Sequence, residues 1–118
     1  MCNKYPFSDL PTIEDAVATP LKDLLGEHYY ELVNDFTSNF PVKFNELKSA
    51  NNSNDVESIF TISHTLKSSS GSFGFTKLFK RLEHLEHQAR NNQIVNIDEQ
   101  IELLDQEFNT ILSSLDTE

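Results

Sequence analysis

Tyr29-Tyr30-Glu31-Leu32-Val33-Asn34-Asp35-Phe36-Thr37-Ser38-Asn39-Phe40-Pro41-Val42-Lys43-Phe44-Asn45-Glu46-Leu47 is the stretch that decides the fold. Its apolar residues Tyr29, Val33, Phe36, Phe40, Phe44 and Leu47 are spaced four, three, four, four and three apart. Only a helix keeps that spacing on one face, turned toward a core. Pro41 falls inside the stripe. It removes one backbone bond, but the stripe resumes in phase, so a kink is expected rather than an end.

Working outward, the same period recurs. Toward the N-terminus, Thr12-Ile13-Glu14-Asp15 has a capping-box pattern, and Thr19-Pro20 offers a second helix start with proline at the first helical position. Gly26 is a stop for that short piece. Toward the C-terminus, Asn51-Asn52-Ser53 reads as a turn. Asn54 is the expected N-cap of the next helix, with Glu57 three residues on. That helix carries Val56, Ile59, Ser63, Leu66, Ser70 and Phe73 on one face. After Gly74 comes Phe75, Leu78, Leu82, Leu85 and Ala89. Asn91-Asn92 breaks the run, and Ile97, Ile101, Leu104, Phe108, Ile111 and Leu115 form the last stripe. No segment has strand alternation and none repeats. The expected fold is all-α, an antiparallel up-down four-helix bundle with short N-terminal helical pieces. One domain over residues 1–118 is expected, divided into an N-terminal segment 1–18 and a bundle 19–116.

Composition narrows the function classes. The 118 residues carry a net charge of −10, which suits neither nucleic acid nor an anionic membrane. No stretch reads as a signal peptide or a membrane span. The lone cysteine, Cys2, excludes an internal disulfide and is expected to be an exposed, inert thiol. A cytoplasmic monomer is the expectation. The charge is uneven. Between His64 and Arg90 stand Lys67, Lys77, Lys80, Arg81 and Arg90 against Glu83 and Glu86, whereas seven acids and no cation follow from Asn91. A locally positive segment in an acidic chain suits docking of an acidic partner.

That segment begins His64-Thr65-Leu66-Lys67-Ser68-Ser69-Ser70-Gly71-Ser72-Phe73-Gly74, with two of the three glycines of the chain. Phe60, His64, Lys67, Ser68 and Gly71 share a helix face beside the apolar stripe. His64 therefore points outward, and small residues next to it let another backbone come close. A neutral imidazole is a nucleophile near neutral pH. Lys67, one turn on, disfavours the imidazolium and offsets charge that develops during transfer of a phosphoryl group. There is no Gly-rich phosphate loop and no kinase motif set, so no cofactor and no metal are expected on this chain.

His64, Leu66, Lys67, Ser69, Ser70, Gly74, Leu78, Leu85-Glu86 and Ala89-Arg90 match in register the pattern of histidine-containing phosphotransfer (HPt) domains, which the chain resembles over nearly its whole length. Ser68 departs from it, since many members have glycine there. Ile62-Ser63-His64 with Leu66-Lys67-Ser68-Ser69 and Ser72-Phe73-Gly74 is similar to the LuxU-type proteins of bacterial quorum sensing. The resemblance implies a phosphorelay intermediate, not an enzyme with its own ATP site. His64 would take a phosphoryl group from the receiver domain of a hybrid sensor kinase and pass it to a response-regulator receiver. Lys67 would assist. Phe60, Ser68, Gly71, Gly74 and Phe75 would dock the receivers, with Lys77, Lys80 and Arg81 at the rim.

Two other readings compete. A di-metal carboxylate bundle needs Glu-x-x-His on two helices. The chain has none, although His84 and His87 lie beside Glu83 and Glu86. A binding module that is never phosphorylated has no use for both His64 and Lys67. His28, His87 and Glu86 are expected to make structural or solvated contacts.

Overall fold

A computed structural model describes residues 7–116, and Cys2 lies outside them. Five helices follow one another: α1 (Asp15–Leu25), α2 (Glu27–Asn52), α3 (Val56–Ser72), α4 (Thr76–Arg90) and α5 (Ile97–Asp116). There is no strand among the described residues. α2 to α5 form the bundle, with α4 between α3 and α5, and α1 packs on α2. At 1.5 Å per residue, the 26 residues of α2 span about 39 Å, close to the 41 Å long axis of the molecule.

The stripes become the core. Tyr29, Val33, Phe36, Phe40, Phe44 and Leu47 of α2 are all buried, as are Ile59, Ser63, Leu66 and Ser70 of α3. Leu78, Leu82, Leu85 and Ala89 of α4 and Leu104, Phe108 and Ile111 of α5 join them. Positions 57, 61 and 64 are exposed, so the register on α3 is the expected one. Phenylalanine rings tie the helices together. Phe40 stacks on Phe108 with centroids 4.1 Å apart, and Phe36 lies 5.1 Å from Phe75. α2 runs unbroken through Pro41.

Three helix ends differ from expectation, each for a local reason. Pro20 does not start a second helix. It sits inside α1, whose first residue is Asp15, so the 18/19 boundary falls within a helix. Thr12 does not cap α1: the N-cap is Glu14, with no side-chain bond to the helix, and the Thr12 hydroxyl faces the Glu107 carboxyl instead. Asn54 takes φ +55°, a left-handed turn that asparagine tolerates, and the N-cap passes to Asp55. Asp55 accepts from the Ser58 amide at 3.2 Å and the Ser58 hydroxyl at 2.7 Å. Gly26 does end α1, with φ +57° and its amide 2.8 Å from the Lys22 carbonyl.

The segment before α1 is fastened across the α3–α4 turn. Glu14 donates its amide to the Gly74 carbonyl at 2.8 Å, the Thr76 hydroxyl donates to Glu14 Oε2 at 2.9 Å, and the Lys77 amide donates to the Pro11 carbonyl at 3.1 Å. Gly74 has φ +79°, and a Cβ there would sit 3.0 Å from the Glu14 carbonyl and from Val17. Small residues also let α3 and α4 approach. Ser63 and Ser70 are fully buried, and a Cβ on Gly71 would stand 2.9 Å from the Phe79 ring.

Candidate functional site

His64 projects from the middle of α3 at the edge of the buried seam, with its side chain 56% exposed. Phe60, one turn earlier, lies nearly parallel beneath the imidazole at 6.2 Å between centroids. The Arg90 guanidinium sits over the Phe60 ring at 5.4 Å. Phe60 is thus half-buried between two polar groups rather than open to a partner.

The decisive neighbour is Glu86 of α4, whose side chain is only 4% exposed. Its Oε2 accepts from His64 Nδ1, and its Oε1 accepts from Lys67 Nζ at 2.8 Å. One carboxylate joins the histidine and the lysine. Burial pushes the Glu86 carboxyl up, but the bonds and charges of Lys67 and His64 outweigh it and hold it below the ordinary glutamate range. A carboxylate on Nδ1 fixes the ring proton there, so Nε2 carries the lone pair. Glu86, expected to be structural or solvated, is therefore part of the site. Lys67 acts first on Glu86, not directly on the imidazole.

A signal for Glu86 was present in the spacing. Leu82, Glu86 and Ala89 are four and three apart, so residue 86 lies on the inward face of α4. A buried carboxylate needs partners, and His64 and Lys67 are the polar groups of the facing helix.

The other expected docking residues divide. Ser68 is exposed, and its hydroxyl returns to the His64 carbonyl at 3.2 Å. Phe75 is wholly buried, because it closes the core among Phe36 and Phe73, so it offers no docking surface. Gly74 is buried under Glu14 and Val17. Gly71 is half-buried, and its small size serves the close contact with the Phe79 ring of α4. Lys80 pairs with Glu83 at 3.2 Å, Lys77 lies 3.9 Å from Glu107, and Arg81 also acts on Glu107. These three cations are committed within the chain rather than held free at a rim.

Two hollows flank the site. One of about 410 Å³ lies on the α4 side, lined by Phe7, Lys67, Glu83, His84, Glu86, His87 and Arg90. The other, about 360 Å³, runs between α2 and α3 past Leu32, Val42, Thr65 and Ser69. Leu32 is 43% exposed and Val42 60%. His28 meets Glu31, His84 meets Gln88 and the edge of Phe7, and His87 meets Asn91. Among the described residues no cluster of three or more His, Cys, Asp or Glu is placed to hold a metal ion, and no helix is long and apolar enough to cross a membrane.

Residues 31–114 match the Hpt domain family. The structure is similar to that of histidine-containing phosphotransfer protein B from Pseudomonas aeruginosa PAO1, with a TM-score of 0.82. The two chains are 22% identical over 87% of this chain and 90% of that one. No curated protein matches the chain.

Proposed function

The chain belongs to the Hpt domain family, and from that premise we propose that His64 is its phosphoryl acceptor and Lys67 its assisting cation. The observation that carries this is the buried Glu86 on His64 Nδ1, an arrangement that leaves Nε2 outward and nucleophilic. The remaining histidines lack such a partner among the described residues: His28 has an exposed glutamate, and His84 and His87 have amides.

Hpt domains serve phosphorelays, exchanging phosphoryl groups with receiver domains as intermediates rather than as turnover enzymes. Here Nε2 would attack the phosphorus of a receiver aspartyl phosphate, and the carboxylate would depart. A second receiver aspartate would then remove the group from Nε2. Exposed Leu32 and Val42, with small Thr65, Ser68 and Ser69 between them and His64, favour docking on the α2–α3 side. The run Ile62–Gly74 supports a donor on a hybrid sensor kinase and an acceptor on a response regulator, as in LuxU-type quorum-sensing relays. Residues 1–118 would then act as one cytoplasmic, monomeric domain.

Incubation with a phosphorylated receiver should give an acid-labile, base-stable phosphate on this chain. His64→Gln should abolish the label while the helical circular dichroism stays unchanged. A labelled His64→Gln protein would sink the assignment. In the same assay Lys67→Ala should slow transfer about ten- to a hundredfold, ~1.4–2.7 kcal/mol of barrier.

A further inference from the structure

We propose that Lys67 changes partners when His64 is phosphorylated, leaving Glu86 for a phosphoryl oxygen, and that the freed Glu86 then keeps the proton on Nδ1 of the phosphorylated ring. This rests on the reading that His64 accepts the phosphoryl group. Glu86 is a positioning residue here, because it acts through the ring.

The starting arrangement is balanced. Lys67 contributes one positive charge, Glu86 one negative, and the imidazole none. Both oxygens of the buried carboxylate are occupied, one by each partner. Lys67 lies one turn from His64 on the same face and also lines the open hollow on the α4 side. Its Nζ and the ring Nδ1 bond the two oxygens of one carboxylate.

Phosphorylation unbalances the set. The Nε2 lone pair forms the N–P bond as the P–O bond to the donor aspartate breaks, and the aspartate leaves as a carboxylate. The ring already carries a proton on Nδ1, so the product is an N-phosphoimidazolium that has lost nothing. The phosphoryl group brings roughly −2 of charge next to Lys67. The ring now brings +1 next to Glu86. Lys67 is drawn to the larger anion, and Glu86 gains an imidazolium in its place. A buried carboxylate cannot be left with one neutral partner, so release of Lys67 and retention of the ring proton go together. On the return step an acceptor aspartate oxygen attacks phosphorus, the N–P bond breaks, and neutral imidazole leaves. An imidazole is a far better leaving group than the imidazolate that a deprotonated ring would form.

The other charged groups around the ring stay as they are. Arg90 is over Phe60, Glu83 is held by Lys80, and His84 and His87 face the hollow on α4. On the α2 side Asp35 and Lys43 line the groove that includes Thr65.

The test is nuclear magnetic resonance of the full chain, ring-labelled with ¹⁵N and phosphorylated with phosphoramidate, between pH 5 and 9. The phosphorylated wild-type ring should hold its Nδ1 proton to a pH about one unit higher than the phosphorylated Glu86→Gln ring. The Lys67 ammonium signal should move on phosphorylation of the wild type. In unphosphorylated Lys67→Met the ring should titrate higher than in wild type, since Glu86 has lost its other partner. This keeps the test open even if Glu86→Gln fails to fold. Coincident ring titrations, or a Lys67 signal that does not move, would overturn the exchange. Absence of any N–P signal on wild-type His64 would overturn the acceptor assignment itself, and the exchange with it.

Discussion

Glu86 and Glu107 are buried carboxylates on adjacent helices that are displaced in opposite directions. Burial pushes both up. At Glu86 the bonds from Lys67 and His64 win, and the group ionises more readily than usual. At Glu107 burial wins over the Lys77 charge, the Thr12 hydroxyl bond and the Arg81 charge, and Oε2 has no hydrogen-bond partner. The consequences for stability have opposite signs. Glu86 has a lowered folded value, so its contribution is complete above the unfolded value of 4.5 and is lost as the pH falls through the folded one. Glu107 has a raised folded value, so its contribution is complete below 4.5 and is lost as the pH rises through the folded one. At pH 7, Glu107→Gln should raise Tm by a few degrees and Glu86→Gln should lower it by a similar amount or more. Both differences should shrink toward pH 4. Thermal denaturation at pH 4 and 7 checks this, and a Glu107→Gln protein that melts lower at pH 7 would contradict it.

At the level of elements, α3 has one face for α4 and another for a partner, and Gly71 belongs to the first. An arginine there would meet Phe79 before it met any receiver, so Gly71→Arg should lower stability by about 1–3 kcal/mol through overpacking. Denaturant melts would register that loss directly. Val42→Arg, by contrast, changes an exposed residue on α2 and should leave the melt unchanged while weakening receiver binding severalfold. Wild-type receiver binding by Val42→Arg would move the docking surface off the α2–α3 side. The helices themselves could be read from the chain because apolar spacing is a local property: the α2 stripe from Tyr29 to Leu47 is buried as written. His64 and Lys67 could be read as neighbours because one turn separates them. Glu86 is 22 residues from His64, and its role depends on how two helices face each other. The same holds for Thr12 on Glu107 and for Gly71 against Phe79. Asn54 and Asp55 show the limit at helix ends, where adjacent residues can each cap and backbone conformation chooses between them.

For the whole molecule, the pairing of Lys67, Lys77 and Lys80 with their own acids has a kinetic consequence. Those cations cancel nearby charge and project little attraction outward, so a distant partner feels mainly the net charge of −10. Repulsion between two bodies of the same sign is largely screened beyond about 8–10 Å near physiological ionic strength and acts within that distance, reaching further as salt is lowered. Toward an acidic receiver, stopped-flow association should therefore speed up as sodium chloride is raised from 20 to 200 mM, on the order of severalfold. A rate that falls over that range would mean that the lysines come free of their acids before contact. Transfer carries the phosphoryl charge from the donor to this chain and leaves the charge of the pair as a whole unchanged, so screening by salt, rather than attraction between the partners, would set the tempo of exchange in both steps.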